Sequence, residues 1–342
     1  MLAVTPKEQQ QPSNPAVVVD EVSGWLRVFD DGTVDRTWTG PPEALFLMAP
    51  VAPYSEPRDG ITLHDLPGDP HLRLYLPQRE EDSNGERIPI LFHFHGGGFC
   101  ISHSSWRMYH EFYSRLAAAV PAAVVSVELP LAPEHRLPAH IDAGLAGLLR
   151  LRSLASHPLL LSADPSRVFL IGDSSGGNLV HHVAARALSQ PEDVLSPVRV
   201  AGGIPIHPGF VRSSRSRSEL ELKPDSLFFT LEMLDKFLAL ALPVGATKDH
   251  PYTCPMGAAA PPLDEVRLPP FLVAVAERDL VRDTNLEYYE AMRRAGKEVE
   301  LLVSDGVSHT FYLNKPAVEL DPVTGERTKE LIQAIADFVR RH

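Results

Sequence analysis

Arg167-Val168-Phe169-Leu170-Ile171-Gly172-Asp173-Ser174-Ser175-Gly176-Gly177-Asn178-Leu179 passes from an apolar stretch, through a cluster of small residues, into a helix-patterned segment. A run of apolar residues this short reads as a buried strand, and Gly177 to Leu188 carries apolar residues at helical spacing. The turn between them is G-x-S-x-G with Ser174, not Ser175, in the middle. Such a sharp strand-to-helix turn needs small residues on either side, because the backbone passes close to itself, and it leaves the serine oxygen exposed at the end of the strand. The other readings of the stretch are a plain Gly/Ser turn or a phosphate-cradling loop at a helix N-terminus. The phosphate reading lacks the closing Lys-Ser/Thr of a P-loop, and the glycine spacing does not fit a dinucleotide fingerprint.

Outward from this turn the chain alternates apolar strands with amphipathic helices. Strand runs are Leu72 to Leu76, Ile88 to Phe94, Ala122 to Val127, Val168 to Ile171, Val198 to Ile204, Phe271 to Ala276 and Val299 to Val303. Helical patterns occupy Ile141 to Leu154, Gly177 to Leu188, Thr284 to Arg294 and Thr328 to Arg340. Continuous apolar runs joined by helical crossovers predict an α/β fold with a mostly parallel central sheet flanked by helices. Near the N-terminus, Trp25 to Phe29 alternates apolar and polar residues, and Asp30-Asp31-Gly32 turns it into Thr33 to Trp38, a predicted hairpin. The Pro-rich passage Pro41 to Pro57, carrying Leu45, Phe46, Leu47 and Met48, suits a segment packed over another surface. Phe210 to Pro255 breaks the alternation with a Ser/Arg stretch and one helix candidate, Leu231 to Leu242, and reads as an insertion. The expected organisation is a flexible Gln/Pro leader over 1–15 and a single domain over 16–342, with cap segments at about 16–60 and 210–255.

Two further motifs stand where chemistry would need them. Ile90 to Phe94 leads into His95-Gly96-Gly97-Gly98-Phe99, and successive glycines after a strand present backbone N–H groups free of side-chain obstruction. The amides of Gly97 and Gly98, with that of Ser175, form a candidate oxyanion hole. Val299 to Val303 is followed by Ser304-Asp305-Gly306-Val307-Ser308-His309, which places one of the fifteen histidines on a loop just past a late strand. A base that accepts the proton of Ser174 needs an acid to orient it, and the loop after Phe271 to Ala276 offers Glu277, Asp279 and Asp283. Thr284 with Glu287 has the form of a capping box, which gives Asp283 a structural use at a helix start. Asp279 is preferred and Asp283 is the runner-up. In this assignment Ser174 attacks an ester carbonyl, His309 takes its proton, and Asp279 fixes the histidine tautomer. The mechanism calls for no cofactor and no metal; His93-x-His95 shares one strand face but has no evident third ligand.

Composition excludes several classes. A formal net charge of −12 over 342 residues opposes binding to nucleic acid and to anionic membrane surfaces. Two cysteines cannot form a disulfide framework for a domain this large, so a reducing compartment is expected. With no apolar run of signal-peptide or membrane-spanning length, a cytoplasmic protein is expected. Arg212-Ser-Ser-Arg215-Ser-Arg217 could be a basic interaction or phosphorylation patch, but Glu219 and Glu221 would partly cancel it.

With His95-Gly-Gly-Gly98, Gly172-Asp-Ser-Ser-Gly-Gly177, Asp279 and His309 placed, the chain from Thr62 to His342 resembles the hormone-sensitive-lipase-like group of α/β-hydrolases, and within it the plant carboxylesterases. Leu131-Ala-Pro-Glu-His-Arg-Leu-Pro-Ala139 looks like that group's L-A-P-E-x-x-x-P-A signature. The usual D-Y-R before the signature is replaced by Glu128-Leu129-Pro130. The resemblance implies hydrolysis of small acyl esters, plant metabolites or xenobiotics, with Trp25 to Pro57 and Phe210 to Pro255 choosing the substrate. It also supplies the alternatives: gibberellin receptors, which keep the pocket and lose the histidine, and hydroxyisoflavanone dehydratases, some with threonine at the nucleophile position. Ser174 and His309 stand together here, which favours the esterase.

Overall fold

The strand that ends at the Gly-rich turn lies in the interior of a nine-stranded sheet in a computed structural model of the chain, which describes residues 16–78, 86–222 and 229–342. The expected leader lies outside the described residues. The chain divides into two compact units, Met1–Gly40 and Pro41–His342.

In the first unit, β1 (Val18–Val22), β2 (Leu26–Phe29) and β3 (Val34–Asp35) form an antiparallel sheet in that order. The expected hairpin is β2–β3, closed by Phe29 N–H to Thr33 O at 2.9 Å and Gly32 N–H to Phe29 O at 2.9 Å. Gly32 has φ 83°, the left-handed conformation this turn needs. Trp25 packs on Trp38 with ring centroids 4.5 Å apart.

In the second unit, the strands are β4 (Tyr54–Arg58), β5 (Ile61–Leu66), β6 (Leu72–Pro77), β7 (Ile88–Phe94), β8 (Ala123–Val127), β9 (Ala163–Asp173), β10 (Val200–Ile206), β11 (Phe271–Ala276) and β12 (Val299–Ser304). Their order is β12-β11-β10-β9-β7-β8-β6-β5-β4. The six from β8 to β12 in this row are parallel, while β6, β5 and β4 add antiparallel neighbours at one edge. Every residue of β7, β10 and β11 is buried, as expected when helices cover both faces of a sheet. The alternation of side chains sorts the core. Leu91, Phe169 and Ile171 pack with Phe112, Tyr113 and Leu116 of the helix Arg107–Ala119 and with Leu331, Ile335 and Phe338 of the helix Pro322–Arg341. Phe92, Phe94 and Val127 face the helix Ala139–Ser153, whose Gly144 and Gly147 let it approach: a Cβ at Gly147 would sit 2.9 Å from the Phe92 ring. The helix Ser175–Leu188 crosses the strands more closely still. A Cβ on Gly176 would collide with the Phe94 carbonyl oxygen, and one on Gly172 would meet the Gly176 carbonyl carbon at 2.5 Å.

The insertion contains the helix Leu231–Ala241, capped by the Thr230 hydroxyl oxygen, which accepts from Met233 N–H at 3.1 Å. Leu131–Ala139 straps this helix to the sheet. Ala132 N–H donates to Phe99 O at 2.9 Å and Leu137 N–H to Ala241 O at 2.8 Å. The Arg136 guanidinium donates to Ala239 O and Leu242 O at 2.8 and 2.7 Å, neutralising carbonyls at the helix C-terminus. No described helix is long and apolar enough to cross a membrane.

Candidate active site

Because β7, β9, β10, β11 and β12 are parallel, their carboxyl ends lie along one edge of the sheet, and the loops after β7, β9, β11 and β12 carry the residues singled out above: Gly97 and Gly98, Ser174, Asp279 and His309 respectively. Open parallel sheets place ligands at this edge.

Ser174 has φ 54° and ψ −120°, a conformation that costs a non-glycine residue about 1–3 kcal/mol and persists only where the surroundings impose it. Here they do. Its N–H donates to Ile206 O at 3.0 Å, and its carbonyl accepts from Asn178 N–H at 3.0 Å and Gly209 N–H at 2.8 Å. The residue is half-buried and stands as N-cap of the helix Ser175–Leu188, where the unpaired amides and the helix dipole favour negative charge.

His309 Nδ1–H donates to Asp279 Oδ2 at 2.7 Å. That bond settles the tautomer: a neutral imidazole donating at Nδ1 has its lone pair at Nε2, and His309 Nε2 has no protein partner among the described residues. Asp279 is buried, and its other oxygen accepts Val281 N–H at 3.0 Å. Burial alone would raise its pKa, but attraction to His309 and the hydrogen bonds it accepts outweigh burial, so the carboxyl sits below its ordinary value. The competing carboxylates are occupied elsewhere. Asp283 Oδ2 accepts Ser218 N–H at 2.8 Å and Oδ1 pairs with Arg282 at 2.8 Å, and Glu277 Oε2 accepts Gly306 N–H at 2.7 Å.

The expected capping box of Thr284 and Glu287 does not form. The helix begins at Arg282, so Thr284 lies inside it and its hydroxyl donates back to Val281 O and Phe210 O at 2.9 and 2.7 Å. Glu287 instead pairs with Arg212 at 2.7 Å. A capping box does occur at Ser216 and Glu219, which start the helix Arg217–Glu221. The Ser/Arg stretch is thereby neutralised: Arg215 pairs with Glu219 and Asp235, and Arg217 with Glu221.

The glycine loop is held from below by Tyr109, whose hydroxyl accepts Gly96 N–H at 3.1 Å. Gly97 and Gly98 have φ 103° and 60°. A Cβ on Gly98 would lie 2.6 Å from Phe237 of the insertion helix, so the insertion packs directly on this loop. Phe99 N–H donates to Ser175 Oγ at 3.2 Å, tying the loop to the start of the helix Ser175–Leu188. The amides of Gly97, Gly98 and Ser175 donate to no acceptor among the described residues. Glu128, first of the three residues that replace D-Y-R, accepts from Ser104 N–H and Oγ–H at 3.0 and 2.6 Å and so fixes the turn beyond the glycine loop.

His93 and His95 do not converge as a metal pair. His93 Nδ1 meets Ser126 Oγ at 2.8 Å, whereas His95 Nδ1–H donates to Gly96 O at 3.0 Å and its Nε2 accepts Leu129 N–H at 3.4 Å. His207, Asp279 and His309 offer ligand atoms within 4.8 Å of one another, but His309 Nδ1 is engaged with Asp279, and His207 Nδ1 accepts Thr310 N–H at 2.9 Å.

Two residues near the site were not anticipated. Phe229, just before the N-cap of the insertion helix, stacks on the His309 ring with centroids 4.1 Å apart. His207, fully buried after β10, lies 5.8 Å from the same ring. Neither belongs to a motif; only their positions, beside a strand end and in the insertion, could have marked them.

Burial drives several histidines neutral: His93, His140 and His182 to about 4 and His207 to about 3. Above about pH 6.5 these groups are neutral in both folded and unfolded chains. Below it only the unfolded chain takes up protons, so stability is lost as pH falls from about 6.5 towards 4, at about 1.4 kcal/mol per unit for each histidine. Urea unfolding at pH 7 and pH 5 should show a markedly lower midpoint at pH 5; equal midpoints would contradict the assignment.

A family model described as the alpha/beta hydrolase fold matches residues 91–313. The chain belongs to the α/β-hydrolase family. Among its relatives, "Probable carboxylesterase 6" of Arabidopsis thaliana is 36% identical over 302 residues, covering 86% of this chain and 85% of that protein. "Gibberellin receptor GID1C" of the same plant is also 36% identical, over 299 residues and 83% of each chain. A hyperthermophilic esterase from the archaeon Pyrobaculum calidifontis superimposes with a TM-score of 0.66 at 28% identity, covering 84% of this α/β-hydrolase and 87% of that chain. The resemblance to plant carboxylesterases carried by the glycine loop, the elbow and Leu131–Ala139 therefore extends over most of the chain.

Proposed function

We propose that this α/β-hydrolase is a serine carboxylesterase acting on small acyl esters. The observation that carries the reading is the 2.7 Å bond from His309 Nδ1–H to the buried Asp279 carboxylate, at the same sheet edge as a serine held at positive φ. In the reaction Ser174 Oγ attacks the ester carbonyl carbon as its proton passes to His309 Nε2. The amides of Gly97, Gly98 and Ser175 receive the oxyanion, and Asp279 stabilises the imidazolium. When the bond to the alcohol oxygen breaks, His309 returns the proton to that oxygen. Water, deprotonated by His309, then releases the acid and restores Ser174.

The similarity to a gibberellin receptor supports a second reading, in which the same pocket binds a gibberellin and turns over esters slowly or not at all. The Asp279–His309 pair favours the esterase, because a binding pocket has no use for a buried carboxylate spent on orienting an imidazole. To separate them, the purified protein is assayed on p-nitrophenyl acetate and butyrate and treated with a fluorophosphonate. Turnover with a phosphonyl mass on the peptide containing Ser174 is expected. An unlabelled, inert protein that binds gibberellin would support the receptor reading instead.

A further inference from the structure

His207 occupies an unusual place for a residue outside the proposed mechanism. It follows β10 at φ 46° with no exposed surface, in a conformation that a buried non-glycine residue adopts only when held there. Its chain neighbours support the nucleophile: Ile206 O accepts Ser174 N–H at 3.0 Å, and Gly209 N–H donates to Ser174 O at 2.8 Å. Its ring reaches the other way. His207 Nδ1 accepts the N–H of Thr310 at 2.9 Å, the residue directly after His309 and itself at φ 51°. An imidazole that accepts at Nδ1 carries its proton at Nε2 when neutral, and burial keeps this one neutral. Its Nε2 has no protein partner among the described residues, and its ring shares a space 4.8 Å across with the ligand atoms of Asp279 and His309.

His309 needs such a support. Its loop leaves β12, the strand at the sheet edge, which pairs only with β11 in the sheet. The Asp279 bond fixes one ring nitrogen, and Gly306 and Val307, before His309, are tied to Glu277 and Arg278; the Thr310 amide is the backbone tie on the other side of His309, and a displacement of about 1 Å costs on the order of 100-fold in rate. We propose that His207 is a positioning residue: its Nδ1 clamps the Thr310 amide and so fixes the His309 loop to the strand end that carries the backbone partners of Ser174. The inference rests on the reading of Ser174 and His309 as nucleophile and base. It accounts for a histidine at this point, because the position demands a ring that fills buried space while offering one acceptor to a buried amide.

The test uses the full chain. In the wild-type protein, 15N shifts of labelled histidines at neutral pH should show His207 with a bare Nδ1 and a proton on Nε2; a proton on Nδ1 would overturn the clamp whether or not the protein turns over esters. His207→Phe keeps the ring and removes the acceptor. Its kcat per phosphonate-labelled site is expected to fall about 10- to 100-fold with KM nearly unchanged. His207→Asn, which tolerates positive φ and carries an oxygen one bond beyond Cγ as Nδ1 is, should recover most of that loss. Wild-type kcat in folded His207→Phe, or His207→Asn as slow as His207→Phe, would overturn the proposal. Should His207→Phe not fold, the tautomer and the kcat of His207→Asn, expected within about tenfold of wild type, decide it. A wild-type protein without esterase turnover but with the predicted His207 tautomer would count against the proposed function and leave the clamp standing.

Discussion

Ser174→Ala should lower kcat on p-nitrophenyl butyrate by about 10⁴- to 10⁶-fold while leaving the protein folded. The size follows from the elbow. Oγ is the only heavy atom removed, and in the proposed mechanism no acyl-enzyme can form without it, whereas the backbone that presents it is held by bonds to Ile206, Asn178 and Gly209 that the substitution does not touch. The residual rate is the part supplied by the glycine-loop amides and by substrate binding alone. Thermal melting should therefore move little, and fluorophosphonate labelling should vanish. A variant that keeps a tenth of wild-type turnover would place the nucleophile elsewhere.

Asp279→Asn is the second large effect, about 10⁴-fold in kcat, and its direction comes from hydrogen-bond geometry. Val281 N–H points at Asp279 Oδ1 and His309 Nδ1–H at Oδ2. An asparagine side chain has one acceptor and one donor end. Turning its oxygen to Val281 presents its NH₂ to His309 Nδ1, which must then become the acceptor and move the ring proton to Nε2. That nitrogen can no longer take the proton of Ser174. The opposite rotamer would set the NH₂ against the Val281 amide, a buried donor facing a donor. The wild-type carboxyl is held below its ordinary range by His309 and its hydrogen bonds despite burial, which favours the charged acceptor that asparagine lacks. An Asp279→Asn enzyme with kcat within tenfold of wild type would remove Asp279 from the mechanism.

The strand-to-helix turn, the glycine loop and the parallel strands were legible because each depends on local chemistry. A helix pattern following a buried strand across small residues leaves few alternatives, and the apolar runs of β7 and β11 leave fewer. The preference for Asp279 over Asp283 was drawn from helix-start logic, but the supposed Thr284–Glu287 box is a helix interior: the helix starts at Arg282, and tertiary contacts to Phe210 and Arg212 take the two side chains. The helix Arg107–Ala119 went unpredicted even though Tyr109, Phe112, Tyr113, Leu116 and Ala117 line one face. The final helix starts at Pro322, six residues earlier than its apolar stripe suggested, because the Asp321 carboxylate caps it at Thr324 N–H, 2.9 Å away, and proline suits the first turn. β4 and β5 sit at a sheet edge where alternation is weak. Phe229 and His207 belong to no motif, and only their places in the insertion and beside a strand end could have marked them, since their neighbours are set by which loops the fold brings to one edge.

The strap Leu131–Ala139 sets the unit in which this enzyme can exchange parts with its relatives. Phe99 of the glycine loop, Arg136 and the last turn of the insertion helix are joined by hydrogen bonds, and Phe237 fills the space above Gly98. A graft that replaced residues 229–242 alone would leave a guanidinium reaching for foreign carbonyls and a foreign side chain pressing on the amides at Gly97 and Gly98. Residues 95–100, 131–140 and 229–242 travel together or not at all, so the conformation of the glycine loop and the side chains pressed against it are inherited as one module.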